Sequence, residues 1–366
     1  MSVIHHDQDP SPQEGTSMWY SGIDQHKAFC VITTYGADGP RVKQARVAST
    51  PLALREYFAE FPGPHQAVVE SPGGWYWLAD TLAALGVHLI LAHATRVKAI
   101  AAAKVKTDKV DSDTLALLLR ADLIPAAHMI APAQRGPRDL MRTRLRLVAK
   151  SVGAQNSIDR LLEKFNATDV CELEALYQLQ ASCHAAQIQL LEEQIRTLER
   201  ALYPYLIPEV DVQRLLWIPG LGKVNACTIY TEIAGIIRFA SPRQFFSYCR
   251  LVPGADNSAG RTRHRSGSKA GNRYLKLAFS HAGIRAVQYN PEIRGFFKAK
   301  ARKKPIRIAR TLVALELARI VYAVLTKQED FNGRFKGRPL SRRKHAQWSR
   351  RASPSAQLIP AGGHLP

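Results

Sequence analysis

Four carboxylates stand at positions where an acid is costly unless it is used. Asp24 closes one apolar run, Glu70 closes another, and Asp108 and Asp111 open a helical pattern that runs to about Arg120. Acids three apart lie on nearly one helix face, because a turn holds about 3.6 residues. Strand ends that converge with a helix start would gather oxygen donors suited to a hard divalent cation, Mg2+ or Mn2+. Paired ions of that kind stabilise the attacking and leaving oxygens of phosphoryl transfer. Each acid also has a plainer reading: a turn residue for Asp24, a helix neighbour for Glu70, and the preference of helix N-termini for acids for Asp108 and Asp111. The four together favour the metal reading, and Asp113, two residues past Asp111, falls off their face.

A second candidate is Ser258, in a glycine-containing segment beside Arg261, Arg263, His264 and Arg265. Such cations would stabilise charge developing on a phosphate. A serine hydroxyl is a weak nucleophile until a base or metal activates it, and no base is adjacent, so a polar loop residue is the simpler reading of the bare sequence. Pro219-Gly220-Leu221-Gly222, followed by Lys223, reads as a helix-hairpin-helix-like turn whose glycines admit a DNA phosphate to backbone N–H groups, or else as an ordinary helix connection.

The elements that must position these groups follow from periodicity. Residues 19–24, 29–35 and 41–48 read as three neighbouring strands, 51–61 as a helix, 65–70 as a fourth strand, 75–85 as a helix, 87–92 as a fifth strand and 94–103 as a helix. Three strands, a helix, then alternation is an α/β layer arrangement in the order of an RNase H-like (RuvC-like) domain, over residues 19–130 after a disordered 1–18. Residues 131–208 read as a helical arm. In it Ile188, Leu191, Ile195, Leu198 and Leu202 recur in steps of three and four, as in a core helix or a partner-pairing coiled coil. Residues 209–326 read as a mainly α DNA-binding domain, and 327–366 as a basic, disordered tail.

Composition narrows the partners. The formal charge of +21 reflects 51 Lys and Arg against 30 Asp and Glu, an excess suited to a polyanion. Between Ser258 and Arg310 fifteen cations face one acid, Glu292. No run approaches the roughly 20 apolar residues of a membrane span, and residues 1–18 lack the order of a signal peptide, so a cytoplasmic, nucleoid-associated protein is expected. Cys30, Cys171, Cys183, Cys227 and Cys249 are widely spaced and odd in number, which reads as reduced core residues rather than zinc or disulfide chemistry.

These residues resemble the DEDD-type insertion-sequence transposases typified by IS one-ten, which include the Piv-type DNA invertases. The resemblance is carried by Gly22-Ile23-Asp24-Gln25-His26-Lys27, by Glu70 with Gly73 and Trp75, and by Lys106-Thr107-Asp108-Lys109-Val110-Asp111. It continues through Ile218-Pro219-Gly220-Leu221-Gly222, Arg238-Phe239, Leu251-Val252-Pro253 with Ser258, and Lys269-Ala270-Gly271-Asn272 followed by Leu275, spanning roughly residues 19–325. Ser258-Ala259-Gly260 stands where the family has Ser-Gly, Pro72 where it has Thr, and Trp75 where it has Tyr.

The resemblance implies a recombinase that cuts and rejoins DNA through Ser258, forming a transient 5′-phosphoserine link assisted by metal at Asp24, Glu70, Asp108 and Asp111. It also implies a structured bridge RNA that pairs with donor and target DNA, and a dimer or tetramer is expected. Gly220, Gly222, Lys223, Arg261, Arg263, Arg265, Lys269, Asn272, Arg273 and Lys276 are the expected nucleic-acid contacts, with a structural role for Asn272 the alternative. The rivals are a RuvC-like junction nuclease that uses water, and an inactive nucleic-acid-binding relative.

Overall fold

The computed structural model describes residues 18–70, 74–100, 107–252 and 271–340 and the backbone of 255–258 and 261–264. These fall into two compact units that divide after Met129. Expectations for residues 1–17, Pro72, Gly73, Lys106, Arg265, Lys269 and the tail past Leu340 lie outside the described residues.

In the first unit the chain runs β1 (Trp19–Gln25), β2 (Phe29–Tyr35), β3 (Arg41–Ala48), α1 (Pro51–Ala59), β4 (His65–Glu70), α2 (Trp75–Ala84), β5 (Val87–Ala92), α3 (Ala94–Ile100), α4 (Asp108–Arg120) and β6 (Ala126–Ala127). The sheet order is β3-β2-β1-β4-β5-β6. β1 is antiparallel to β2 and parallel to β4, and β4 is parallel to β5. The mixed α/β layer expected from periodicity is present. β6 was not foreseen, since two alanines carry no period. Threonine caps start two helices: Thr50 accepts from the Ala53 N–H and Thr107 from the Val110 N–H, each satisfying an otherwise orphaned donor.

The core of this sheet contains a polar thread. The Tyr57 hydroxyl meets Thr34 Oγ1 at 2.8 Å, Thr34 meets Ser21 Oγ at 2.6 Å, and Ser21 meets His65 Nε2 at 2.8 Å. Burial pushes the His65 imidazole down to about 4 and the Tyr57 phenol up to about 12, because both charged forms would be cut off from water.

The second unit begins with two long helices, α5 (Pro132–Lys164) and α6 (Ala175–Leu206). The ten residues between them are too few to lead back along α5, so the two run antiparallel. The Ile188, Leu191, Ile195 and Leu198 seam is half-buried and Leu202 is buried. Arg144 of α5 pairs with Glu199 of α6 at 2.5 Å. The arm is rooted in the second unit through Met141, Leu202 and Leu206, which join its core. Cys171 and Cys183 are exposed, against expectation, while Cys30, Cys227 and Cys249 are buried. The two exposed thiols lie on and beside the arm, where a two-helix layer leaves its outward faces in solvent.

The chain continues through α7 (Val210–Leu216), α8 (Lys223–Ile233), α9 (Pro242–Tyr248), the hairpin β7 (Ala255–Ser258) and β8 (Arg261–His264), α10 (Arg273–Tyr289), α11 (Pro291–Ala301), α12 (Ile306–Lys327), β9 (Arg334–Phe335) and β10 (Arg338–Pro339). The mainly helical character matches expectation. Residues 328–340, placed in the expected tail, instead carry structure. Lys336 and Gly337 both have positive φ, the geometry of a two-residue hairpin turn. Phe335 is buried against Phe296 with ring centroids 5.5 Å apart, and Lys336 pairs with Glu316 at 2.7 Å. Basic composition hid one aromatic anchor. Among the described residues no helix is long and apolar enough to cross a membrane.

The buried His65 makes stability pH-dependent. The unfolded chain takes up a proton near the ordinary histidine value of 6.5 and the folded one only near 4, so stability is complete above about 6.5 and declines as the pH falls towards 4. The expected loss is about 3 kcal/mol, read as the difference in urea unfolding between the native protein and His65→Gln across that window. Equal pH slopes for the two proteins would refute it.

Candidate active site

Gly22 decides where the acidic residues meet. A Cβ on Gly22 would lie 2.0 Å from the Ser112 carbonyl oxygen and 2.4 Å from the Ala116 nitrogen, so α4 rests directly on the β1 backbone. Two side-chain tethers hold the head of that helix. The Thr33 and Ser112 hydroxyls bond at 2.8 Å, and Gln44 donates to the Lys109 carbonyl at 3.0 Å and to Thr33 Oγ1 at 2.8 Å. Side chains alternate along a strand, so Asp24 shares the α4 face with Gly22. Val68, which packs with Leu115 and Leu119 of α4, places Glu70 on that face of β4. Gly22 pairs in register with Val68 and Ile23 with Val69, which sets Asp24 and Glu70 at the ends of neighbouring strands.

The structure therefore brings Asp24, Asp108 and Asp111 together and leaves Glu70 one strand away on the same face. Burial raises the Asp24 carboxyl above its ordinary value, His26 opposes that rise, and the negative charges of Asp108 and Asp111 add to it. Asp113, set aside on spacing, accepts from the Tyr35 hydroxyl at 2.8 Å and pairs with Arg41 at 3.5 Å. His26 was not singled out as a site residue. Its Nε2 lies 3.0 Å from Asp24 Oδ2 and 3.3 Å from Asp108 Oδ2. One ligand atom each from Asp24, His26 and Asp108 lies within 4.8 Å of the others. The signal for it was an imidazole two residues past a strand-end acid, informative only once the β1–β2 turn folds it back.

In the second unit the organising group is also a carboxylate, this one almost wholly buried. Glu232 is 1% exposed. It pairs with Arg142 at 2.5 Å and Arg138 at 3.3 Å, and it accepts from Asn272 Nδ2 at 2.6 Å. Asn272 caps α10 through Oδ1 bonds to the Tyr274 and Leu275 N–H groups, and its own N–H donates to the Tyr248 carbonyl. Asn272 thus has a structural role, every polar atom of its side chain being bonded within the protein.

Gly220 also has a packing role. Its φ is +82° and a Cβ would meet the Ala282 carbonyl oxygen at 2.1 Å. The glycine is therefore required by close packing of the turn on α10, whatever approaches from outside. Gly222 precedes α8 as its cap without a side-chain bond, and Lys223, Arg273 and Lys276 are exposed.

Ser258 ends β7 and pairs in register with Arg261 across the hairpin. The side chains of Ser258, Arg261 and Arg263 lie outside the described residues. The expected contact set stopped too early. Arg294, Lys298, Arg302, Lys303, Lys304, Arg307 and Arg310 on α11, α12 and their link are also exposed, and the signal was present in a cationic run interrupted by no acid after Glu292.

Two family patterns match the chain. A transposase family of the DEDD kind named for IS110 matches residues 21–167, and the Transposase IS116/IS110/IS902 family matches residues 212–298. Among curated relatives, a probable family 20 transposase of Pseudomonas aeruginosa is 24% identical over 84% of this chain and 96% of its own length. The transposase for insertion sequence element IS1111A of Coxiella burnetii is 24% identical over 80% of this chain and 84% of its own. That of IS1328 from Yersinia enterocolitica is 23% identical over 77% and 89%.

Two substitutions check the construction of these sites. Gly22→Ala must push α4 off β1, with an expected loss of about 3 kcal/mol in urea unfolding; a loss below half of that would show that α4 adapts. Asn272→Ala removes a helix cap and a bond to a buried carboxylate, for an expected loss of about 2 kcal/mol with DNA affinity of the folded protein retained. Lost affinity at full stability would return Asn272 to the nucleic-acid surface.

Proposed function

Since this chain belongs to the insertion-sequence transposases of the IS110 family, whose members' names state DNA transposition, we propose that it cuts and rejoins DNA by serine-mediated phosphoryl transfer. The observation that carries the reading is the gathering of Asp24 and Asp108, with Asp111 electrostatically coupled to them, at one end of a sheet whose strand order fits an RNase H-like, RuvC-like domain.

The donors present fit a divalent cation. They are carboxylate oxygens, with one nitrogen, on a partly exposed face; burial raises the Asp24 carboxyl above its ordinary value, and repulsion from Asp108 and Asp111 adds to the rise. A cation would relieve that repulsion. Asp24, Glu70, Asp108 and Asp111 would hold Mg2+ or Mn2+, which when bound supplies charge stabilisation at the oxygens of the transferring phosphate.

Ser258 supplies the nucleophile. Its Oγ attacks a DNA phosphorus, the bond from phosphorus to the 3′ oxygen breaks, and the energy of the broken linkage is kept in a 5′-phosphoserine ester. The reverse attack by a 3′ hydroxyl then rejoins a new pair of ends. Arg261, Arg263, Arg265 and Lys269 offset phosphate charge around the serine. Lys223, Arg273, Lys276 and the exposed cations of α11 and α12 hold the nucleic-acid backbone, sequence choice being left to pairing with a bridge RNA. Phosphate contacts of this kind weaken steeply with salt. Two or more copies assemble to hold donor and target together, in the cytoplasm at the nucleoid.

The test is to incubate the full chain, with its co-purified RNA, Mg2+ and element-end DNA, and resolve the products under denaturing conditions. A protein–DNA adduct is expected, and Ser258→Ala should abolish it together with strand exchange while leaving binding intact. Cleavage without an adduct would replace the serine by water and make the protein a junction-type nuclease.

A further inference from the structure

The proposed cation site contains a group that an all-oxygen site would not need. His26 sits in the three-residue connection between β1 and β2, and that connection is tightly held. The His26 N–H donates to the Phe29 carbonyl at 2.9 Å, and the Ser49 hydroxyl donates to the His26 carbonyl at 3.0 Å. The imidazole is stacked on Phe29, with ring centroids 4.5 Å apart and planes inclined by 27°, and the Arg46 guanidinium also covers Phe29 at 3.6 Å. The ring is thus oriented by its own turn, independently of the carboxylates. That orientation directs Nε2 between Asp24 and Asp108.

We infer that His26 is a metal ligand, its Nε2 joining the Asp24 and Asp108 carboxylates, and that it biases the site towards a transition ion, Mn2+, over Mg2+. The inference rests on the carboxylate site proposed above. Magnesium demands a near-octahedral oxygen shell, whereas an imidazole nitrogen is a characteristic donor of transition-metal sites. A side chain that merely balanced the acids would gain nothing from a fixed ring plane, and a lysine would serve as well. The stack on Phe29 and the backbone clamp at both ends of the turn are what a coordinating nitrogen requires, because a ligand must present its lone pair in one direction.

The experiment is pulsed electron paramagnetic resonance of Mn2+ added to the full-length protein, read for modulation by a directly bound 14N nucleus, alongside Mn2+ and Mg2+ affinities by titration. The expected result is 14N modulation that disappears in His26→Asn, with Mn2+ binding weakened by about tenfold and Mg2+ binding changed less. Asp24→Asn should remove the same signal, which separates this site from the chain's other histidines. Bound Mn2+ without 14N modulation, or modulation that survives His26→Asn, would overturn the inference while leaving the oxygen-donor reading in place. No stoichiometric Mn2+ or Mg2+ binding at all would overturn both.

Discussion

The site in the first unit depends on one backbone contact, the seating of α4 on β1 across Gly22. A helix normally stands off a sheet because side chains intervene between the two backbones. Here the missing Cβ lets a helix carbonyl and a helix N–H take the place a side chain would fill. The consequence is chemical. Asp108 and Asp111 open that helix, so its depth on the sheet sets how near they come to Asp24. The tethers from Thr33 and Gln44 to the first turn then fix the helix along its axis. A charged cluster that would repel itself is held together by neutral contacts beneath it.

The two units use carboxylates in opposite ways. In the first they are partly exposed and close together, and partial burial, with repulsion from Asp108 and Asp111 added, raises the Asp24 carboxyl. In the second, Glu232 is buried with two arginines and an asparagine around it, so its charge is spent on joining α5, α8 and the start of α10. A buried ion pair adds little net stability, but breaking it is costly because one charge is left without a partner. That makes the Glu232 cluster a constraint on geometry. It sets where α10 begins, and with it the positions of Arg273 and Lys276.

The cationic character of the chain divides along the same line. Arg138 and Arg142 are consumed inside the second unit, while the cations of α11 and α12 face solvent. Net charge alone would have pooled these two classes. The arm shows the same separation between composition and role: Ile188, Leu191, Ile195 and Leu198 are only half-buried, while Leu202 joins the core of the second unit.

Much of this was legible in the sequence because it is encoded locally. Period-two and helical runs placed five strands and four helices of the first unit to within a few residues, since which face of a short segment is apolar depends only on that segment. The acids at strand ends and at a helix head were visible for the same reason. What only the tertiary structure decided are the matters of pairing across long separations. These include the approach of His26 to Asp108, the inward turn of Asn272 towards Glu232, the packing of Gly220 on α10, and the anchoring of residues 334–340 by Phe335. Each depends on what lies opposite a residue after the chain has closed on itself, and a one-dimensional pattern holds no record of opposite neighbours.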